Sequence, residues 1–411
     1  MFILYLRESI MENTNNLTSY TNLTCGKWEL TQEENYVQEM HGWLVEGWFS
    51  VIVGLLGLVL NIITAYILSR NEFKNIFFNK LLICLAIFDI LFLLNGLYKT
   101  LRINIMKTDI CSLQDHISFL FLYPFRQIVM LCSIYMTIVL ALERYLALNK
   151  PIKYHYRSKH FGARKSSGGK RILNYILPVI IFAVIYCIPL FFVFTIKTFP
   201  TEKTQTSITP SSDNTSMDLM IHENITLHCV QPTKLRESKV FILWYVNAGN
   251  FVVTGVLPFI TLAFLNCKIY LFIQSAFKDR RITDVSRQVS NERLTRVKRL
   301  KAVEIRQAVV LLAVVIAFLV CNILRIILDM EETISYEDRV QTEKHAASVG
   351  KMCTGVQFWA MITADISHFL LQVNPSANFF IYCILKKHFR SALKEKLIES
   401  ATFIKRAIGI M

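Results

Sequence analysis

The stretch that decides the fold is Ile117–Tyr145, ISFLFLYPFRQIVMLCSIYMTIVLALERY. Its apolar part, Ile117–Leu142, exceeds the roughly 20 residues that a helix needs to cross about 30 Å of hydrocarbon. The run ends in Glu143-Arg144-Tyr145, which places a carboxylate, a guanidinium and a phenol at the membrane boundary. A simple anchor does not need such a polar group. The stretch therefore predicts a membrane helix with a task beyond anchoring.

Six further apolar runs surround this one. The chain is 53% hydrophobic and only 18% charged, against about 25% charge in an ordinary soluble domain. The second run becomes a full span if Ile76–Phe78 join it. We predict an all-α membrane protein, a bundle of seven transmembrane helices over residues 46–385. In chain order the spans are Trp48–Leu68, Leu81–Leu97, Ile117–Leu142, Ile172–Ile196, Val240–Ile273, Ala308–Leu328 and Val356–Leu385.

The net charge of +15 is distributed as in a membrane protein rather than a nucleic-acid-binding one. Lys and Arg concentrate in residues 150–171, 280–301 and 386–396, after spans three, five and seven. Alternating spans put all three segments on one side, which the positive-inside rule makes cytoplasmic. Topology and attraction to anionic lipid account for this charge, so no nucleic-acid partner is expected.

The opposite side carries signs of an extracellular environment. Residues 1–45 form a polar tail. We expect the protein to lie in the plasma membrane with this tail outside the cell. Four glycosylation sequons fall on this side, at Asn16, Asn22, Asn214 and Asn224.

The cysteines divide between the two environments. Four lie on the expected outer side, where disulfides persist, and four cysteines allow three pairings. We predict a bridge from Cys111 to Cys229, between the approach to span three and the second outer loop. Cys25 with Cys353 would then tie the tail to the third outer loop.

Residues 386–411 are predicted to begin with a helix on the membrane surface. Phe389, Leu393 and Leu397 are spaced four apart with basic residues between them, a pattern typical of an amphipathic helix lying in the interface. A short cytoplasmic tail follows.

Span three carries polar groups along one face. At 100° per residue, Arg126, Ser133 and Arg144 project within about 20° of one another, near the outer end, the middle and the inner end. Polar groups are costly in hydrocarbon, so each is expected to have a partner or a function. Interhelical hydrogen bonding without a further role is the simpler alternative.

The chain resembles the rhodopsin-like (class A) G-protein-coupled receptors over roughly residues 46–398. The resemblance rests on six motifs in the order of that family, namely Gly57-Leu-Val-Leu-Asn61, Leu85-Ala-Ile-Phe-Asp89, Glu143-Arg144-Tyr145, Pro258, Phe318-Leu-Val-Cys321 and Asn378-Phe-Phe-Ile-Tyr382. Asn266, Asn322 and the stretch from Asn374 to Cys383 also resemble invertebrate FMRFamide-type peptide receptors.

Departures from the family pattern lie mainly in span six. Asn322 and Leu324 replace the usual Trp and Pro, so another hinge would be needed there. The usual Asn-Pro of span seven reads Asn378-Phe379. Cys111 lies farther from Arg144 than the family places its cysteine, so its bridge requires a longer outer segment before span three.

The resemblance implies a switch at the inner end. Arg144 would pair with Glu143 and with Glu304 at the base of span six, and release of span six would admit a heterotrimeric G protein. Glu304 as a solvated loop charge is the alternative. The implied switch residues are Glu143, Arg144, Tyr145, Glu304, Asn378 and Tyr382. Arrestin and membrane lipid are further expected partners.

The resemblance also implies a sodium site in the middle of the bundle. The matching positions are Asp89, Ser133, Asn374 and Asn378, and a carboxylate with oxygen neighbours suits a hard cation. The alternative is a protonated Asp89 in a hydrogen-bond network. No cofactor is required.

At the outer end, Arg126 stands where amine receptors keep an Asp and Gln372 where an opsin keeps its retinal Lys. The resemblance therefore implies neither a monoamine nor a light receptor. The predicted ligand-binding residues are Arg126, Gln127, Arg325, Asp329, Asp365 and His368. A peptide guanidinium would bind Asp329 or Asp365 by a charge-assisted bond. Internal neutralisation of Arg126 and Arg325 by those acids is the competing interpretation.

The function predicted from these features is reception of an extracellular neuropeptide, amidated and FMRFamide-like, with signalling through outward motion of span six. A receptor for a lipid or another small acid, a decoy receptor and a membrane transporter are the alternatives. No nucleophile, metal-ligand or phosphate-loop pattern supports an enzyme, so no catalytic residue is predicted.

Overall fold

The computed structural model describes residues 31–71, 73, 76–102, 113–149, 167–208, 218–285, 292–335, 338 and 357–407. Seven long helices form the bundle. Their bounds are Ser50–Ser69 (α1), Phe77–Thr100 (α2), Tyr123–Asn149 (α3), Ser167–Cys187 (α4), Leu257–Val285 (α5), Glu292–Ile334 (α6) and Phe358–Leu385 (α7).

The seven-helix membrane bundle predicted from the sequence is confirmed. Among the described residues, six helices are long and apolar enough to cross a membrane. The seventh, α7, is more polar and packs against both α1 and α6. Helices suit this environment because each satisfies its backbone hydrogen bonds internally. Helices α5 and α6 extend beyond the apolar runs as far as Val285 and from Glu292.

The distribution of side chains is that of a protein surrounded by lipid. Large apolar side chains such as Ile185, Ile260 and Val320 lie on the outside of the bundle, each 61% exposed. Amides such as Asn61 and Asn322 are buried within it. Asn61 donates to the carbonyl oxygens of Gly57 and Pro375, at 2.9 and 3.2 Å, and so joins α1 to α7.

The outer ends of three bundle helices are extended by additional turns. A helix Gln32–His41, capped by the reciprocal Thr31 and Glu34 hydrogen bonds, continues through π-helical turns Gly42–Phe49 into α1. Helical turns Leu113–Ile117 and Ser118–Leu122 lead into α3. π-Helical turns Phe241–Gly249 and Phe251–Val256 lead into α5. The segment before span three is thus long, as the Cys111 bridge requires.

The second outer loop contains a β-hairpin that was not predicted from the sequence. Strands Phe194–Ile208 (β1) and Asp218–Pro232 (β2) pair antiparallel, from Phe194 opposite Pro232 to Ile208 opposite Asp218. These strands were not anticipated, although Thr, Ile and Phe, which favour strands, are common in the first of them.

A helix follows span seven, as predicted from the sequence. It runs from Lys387 to Ala407 (α8). Phe389 is fully buried and packs edge-on against Phe379 and Tyr382 of α7. Arg70, at the end of α1, binds both carboxylate oxygens of Glu395, at 3.1 and 3.4 Å.

Candidate functional site

The polar face of α3 meets α2 along its whole length. Near the outer end the Arg126 guanidinium lies 5.2 Å from the centre of the Phe92 ring. In the middle Ser133 Oγ donates to Asp89 Oδ1 at 2.7 Å. At the inner end the Arg144 guanidinium lies 4.2 Å from the centre of a second ring of α2. The shared face predicted from the helical period is therefore present, and α2 receives all three side chains.

A cavity of about 260 Å³ opens at the outer end of the bundle. Side chains from the N-terminal helix and from α2, α3, α6 and α7 line it, together with the outer turns of α5. All six predicted ligand-binding residues are among them, namely Arg126, Gln127, Arg325, Asp329, Asp365 and His368. The structure brings these residues together, while their role in binding a ligand stays a prediction.

Several acids of this cavity already have basic partners on other elements. His41 Nδ1 lies 3.0 Å from Asp365 Oδ2, joining the N-terminal helix to α7. Glu46 contacts the His368 imidazole and lies 3.8 Å from Lys99 Nζ. Asp365 thus has a basic partner within the protein, while internal neutralisation of Arg126 and Arg325 by the cavity acids stays a prediction.

Arg325 and Asp329 are neighbours on one face of α6, but they are not hydrogen-bonded. Arg325 directs its two terminal nitrogens to Met130 Sδ at 2.9 Å and Thr254 Oγ1 at 3.0 Å. Its Nε lies 3.7 Å from Asp329 Oδ2, which is beyond hydrogen-bonding distance. Asp329 is thus close enough to Arg325 for electrostatic attraction, but it accepts no hydrogen bond from that guanidinium.

The centre of the bundle contains a buried carboxylate with two donors. Asp89 accepts from Ser133 Oγ and, at 3.1 Å, from Asn378 Nδ2. Within the described part of the chain, no hydrogen bond joins Asn374 to Asp89. The carboxylate and the Ser133 hydroxyl are ligands that suit a hard cation, whereas Asn378 directs its amide nitrogen to the carboxylate. The geometry equally satisfies a hydrogen-bond network without an ion.

At the inner end, Arg144 and Glu143 form a buried ion pair. Arg144 Nε donates to Glu143 Oε2 at 2.6 Å, and both residues are almost completely buried. The Phe78 ring lies between Arg144 and Lys386, whose Nζ is 5.6 Å from the ring centre. Lys386 also donates to an amide oxygen of α2, at 3.3 Å.

The remaining predicted switch residues are distributed unevenly around this pair. Tyr382 is buried beside Lys386, and Tyr145 is partly buried against the core. Burial, together with the charge of Arg144, lowers the pKa of Lys386 to about 7. Glu304 belongs to α6, but its side chain lies outside the described part of the structure.

The outer cysteines and sequons are covered only in part. Cys229 is disulfide-bonded and stands opposite Lys197 in the hairpin. Cys25, Cys111 and Cys353 lie outside the described residues, so both predicted pairings remain predictions. The same holds for glycosylation at Asn16, Asn22, Asn214 and Asn224.

The sequence predictions missed several residues of these sites. His41, Glu46, Lys99 and Asn247 line the cavity or pair within it, and Lys386 approaches Arg144 at the inner end. A polar side chain is costly at membrane depth. Asn374 and Asn378 were selected on that ground, and Asn247 could have been selected as well. Glu46 stands at the start of the first apolar run, where a lone acid is a similar signal.

Comparison with known proteins supports a receptor. Residues 48–399 match the family model described as serpentine type 7TM GPCR chemoreceptor Srw. An FMRFamide receptor of Drosophila melanogaster is 28% identical over 352 residues, covering 82% of this chain and 51% of that receptor. The chain thus spans about half the length of this relative. Both are receptors and not enzymes. The narrower class A resemblance stays a prediction.

Proposed function

The chain belongs to the serpentine type 7TM GPCR chemoreceptor Srw family, and from that premise we propose that it is a plasma-membrane receptor for an extracellular neuropeptide. The proposed ligand is an amidated peptide of the FMRFamide-like kind, and the proposed partner is a heterotrimeric G protein. The N-terminus is placed outside the cell in this proposal, and the basic segments face the cytoplasm.

The observation that carries the proposal is the outer cavity. Charged side chains of both signs line it from several helices, as suits a ligand with several polar groups. Because the relative named for FMRFamide covers most of this chain, a peptide of that chemistry is the first ligand class to test. Family membership also favours a receptor over the transporter alternative.

The test is a screen in transfected cells. Amidated neuropeptides, FMRFamide among them, would be applied to cells in which surface expression has been measured, with a second-messenger readout. A concentration-dependent response that is absent from untransfected cells is expected. Failure of the whole peptide panel at verified surface expression would contradict the proposal.

A receptor for a lipid or another small acid is the second candidate. Lys99, Arg102 and Arg126 form a basic wall of the cavity on α3 and the outer end of α2, which suits a carboxylate. Fatty acids and short carboxylic acids in the same screen separate the two candidates. A response to these acids but to no peptide would favour the second.

For the signalling step, the proposed switch is release of Arg144 and outward motion of α6. Support comes from the buried pair with Glu143 and from the position of Glu304 at the base of α6. Glu304→Ala is expected to raise basal nucleotide exchange by removing a tie between α3 and α6. Unchanged basal exchange at equal surface expression would leave Glu304 as a solvated charge.

An allosteric sodium ion is proposed to be held by Asp89, Ser133 and Asn378, with Asn374 as a further ligand. Bound sodium would neutralise the buried carboxylate and link α2, α3 and α7. Sodium chloride should then raise the unfolding temperature of the purified receptor more than choline chloride does, and Asp89→Asn should abolish the difference. Equal effects of the two salts on the wild type would argue for the hydrogen-bond network alone.

A further inference from the structure

Two acceptor atoms in the wall of the cavity have no hydrogen-bond partner within the described structure. They are Asn247 Oδ1, on the outer turns of α5, and Asp329 Oδ2, on α6. Asn247 is only 4% exposed, and both residues line the cavity. The amide nitrogen of Asn247 is directed to the backbone oxygen of Glu332, at 3.5 Å.

Such atoms are unusual because a buried acceptor left unsatisfied costs about 1–3 kcal/mol. Most buried polar atoms in folded proteins therefore have a partner. The nearby arginine does not supply one, since Arg325 uses its terminal nitrogens on Met130 and Thr254. A ligand that enters the cavity would supply the missing donors.

We propose that Asn247 and Asp329 form a subsite for a planar ligand group that carries two or more N–H donors. A guanidinium and a primary carboxamide share this chemistry, and the contact of Asn247 with the backbone of Glu332 places its side chain beside the part of α6 that carries Asp329. A carboxylate cannot bind there because it would place an anion against two acceptors. This subsite deepens the proposed peptide function and rests on it.

The two sources of donors differ in their dependence on charge. A guanidinium gains a charge-assisted bond to Asp329, about twice as strong as a neutral one. A carboxamide also donates to the Asp329 carboxylate, but it carries no charge of its own and lacks the Coulomb attraction that a guanidinium gains. Asp329→Asn retains an acceptor but removes the charge, so it weakens a guanidinium far more than a carboxamide.

The test measures thermal stabilisation of the purified, full-length receptor by N-acetyl-argininamide, which carries both groups. N-acetyl-arginine retains only the guanidinium, and N-acetyl-norleucinamide retains only the carboxamide. Asn247→Leu is expected to raise the apparent Kd of N-acetyl-argininamide at least about tenfold, the size of effect that loss of one such bond gives. The single-group probe that still stabilises the wild type identifies the source.

Asn266→Leu is the matched control. Asn266 is a buried asparagine on α5, its Oδ1 is likewise without a partner in the described structure, and it does not line the cavity. Its variant should bind the probe as the wild type does. If Asn247→Leu does not fold, Asn247→Ser and Asp329→Asn provide the same comparison.

Equal stabilisation of the wild type and the subsite variants would overturn the proposal, as would no stabilisation of the wild type by any probe. Ordered water would then be what satisfies the two acceptors. Because this test uses neither a peptide nor a signalling readout, its failure differs from that of the proposed function. A cellular response to FMRFamide with a negative probe result would refute only the subsite. Probe binding without any peptide response would refute only the peptide ligand.

Discussion

Two pairs of polar side chains, one at each end of the bundle, are held in opposite ways. At the outer end His41 and Asp365 join separate elements, and both side chains remain roughly one-fifth exposed. At the inner end Arg144 pairs with the adjacent residue of its own helix, and the pair is no more than 2% exposed. Outer pairs can therefore exchange partners with an incoming ligand, whereas the inner pair holds its charge away from water until the helices around it move.

The largest expected effect comes from breaking the inner pair. Arg144→Met would leave the Glu143 carboxylate buried without its neighbouring guanidinium, which typically costs about 3–5 kcal/mol. The thermal unfolding temperature and the surface expression should both fall sharply.

The double variant Glu143→Leu/Arg144→Met is the control for this comparison. Replacing both members of a buried pair by apolar side chains is often close to neutral, so the double variant should recover most of the stability lost in the single one. A double variant as unstable as Arg144→Met would show that the stacking of Arg144 on Phe78, rather than the charge pair, dominates.

An intermediate effect is expected from Lys386, through pH. Its pKa in the folded protein is about 7, below the ordinary 10.5, so the unfolded chain binds more protons between these values. The free energy of unfolding should therefore rise with pH above about 7, by at most about 1.4 kcal/mol per pH unit. Because part of the side chain is exposed, solvent screening reduces this slope.

Lys386→Met should flatten the pH dependence between pH 7 and 9, as thermal unfolding at several pH values would record. The adjacent Lys387→Met is the matched control, since Lys387 is exposed and its loss should leave the slope unchanged. A slope that persists in Lys386→Met would assign the pH dependence to another group.

The smallest effect is expected at the outer end, between His41 and Asp365. A partly exposed pair of this kind is worth about 1 kcal/mol or less. The double-mutant cycle of His41→Ala and Asp365→Asn measures this coupling directly. Hydrogen exchange over Gln32–His41 should increase in each single variant, because the N-terminal helix loses its tie to α7. A coupling above that of the inner pair would reverse the comparison between the two ends.

Features that depend on local sequence pattern could be predicted, whereas contacts between elements at the outer end could not. Apolar length, basic loops and helical period sufficed for the bundle, the surface helix and the shared face of Arg126, Ser133 and Arg144. These features depend on local pattern and on the cost of polar groups in lipid. The His41 partner of Asp365 could not be predicted, because it depends on which elements become neighbours at the outer end. The hairpin was missed because its strands are rich in polar residues as well as in residues that favour strands.

The contacts between α2 and α3 carry a consequence for measuring motion. One ring, one carboxylate and another ring of α2 contact α3 at three depths, so we expect these two helices to move together. Spectroscopic labels on their inner ends would therefore provide a reference position. A change in the distance from that reference to a label on α6 or α7 would then report displacement of α6 or α7 on activation.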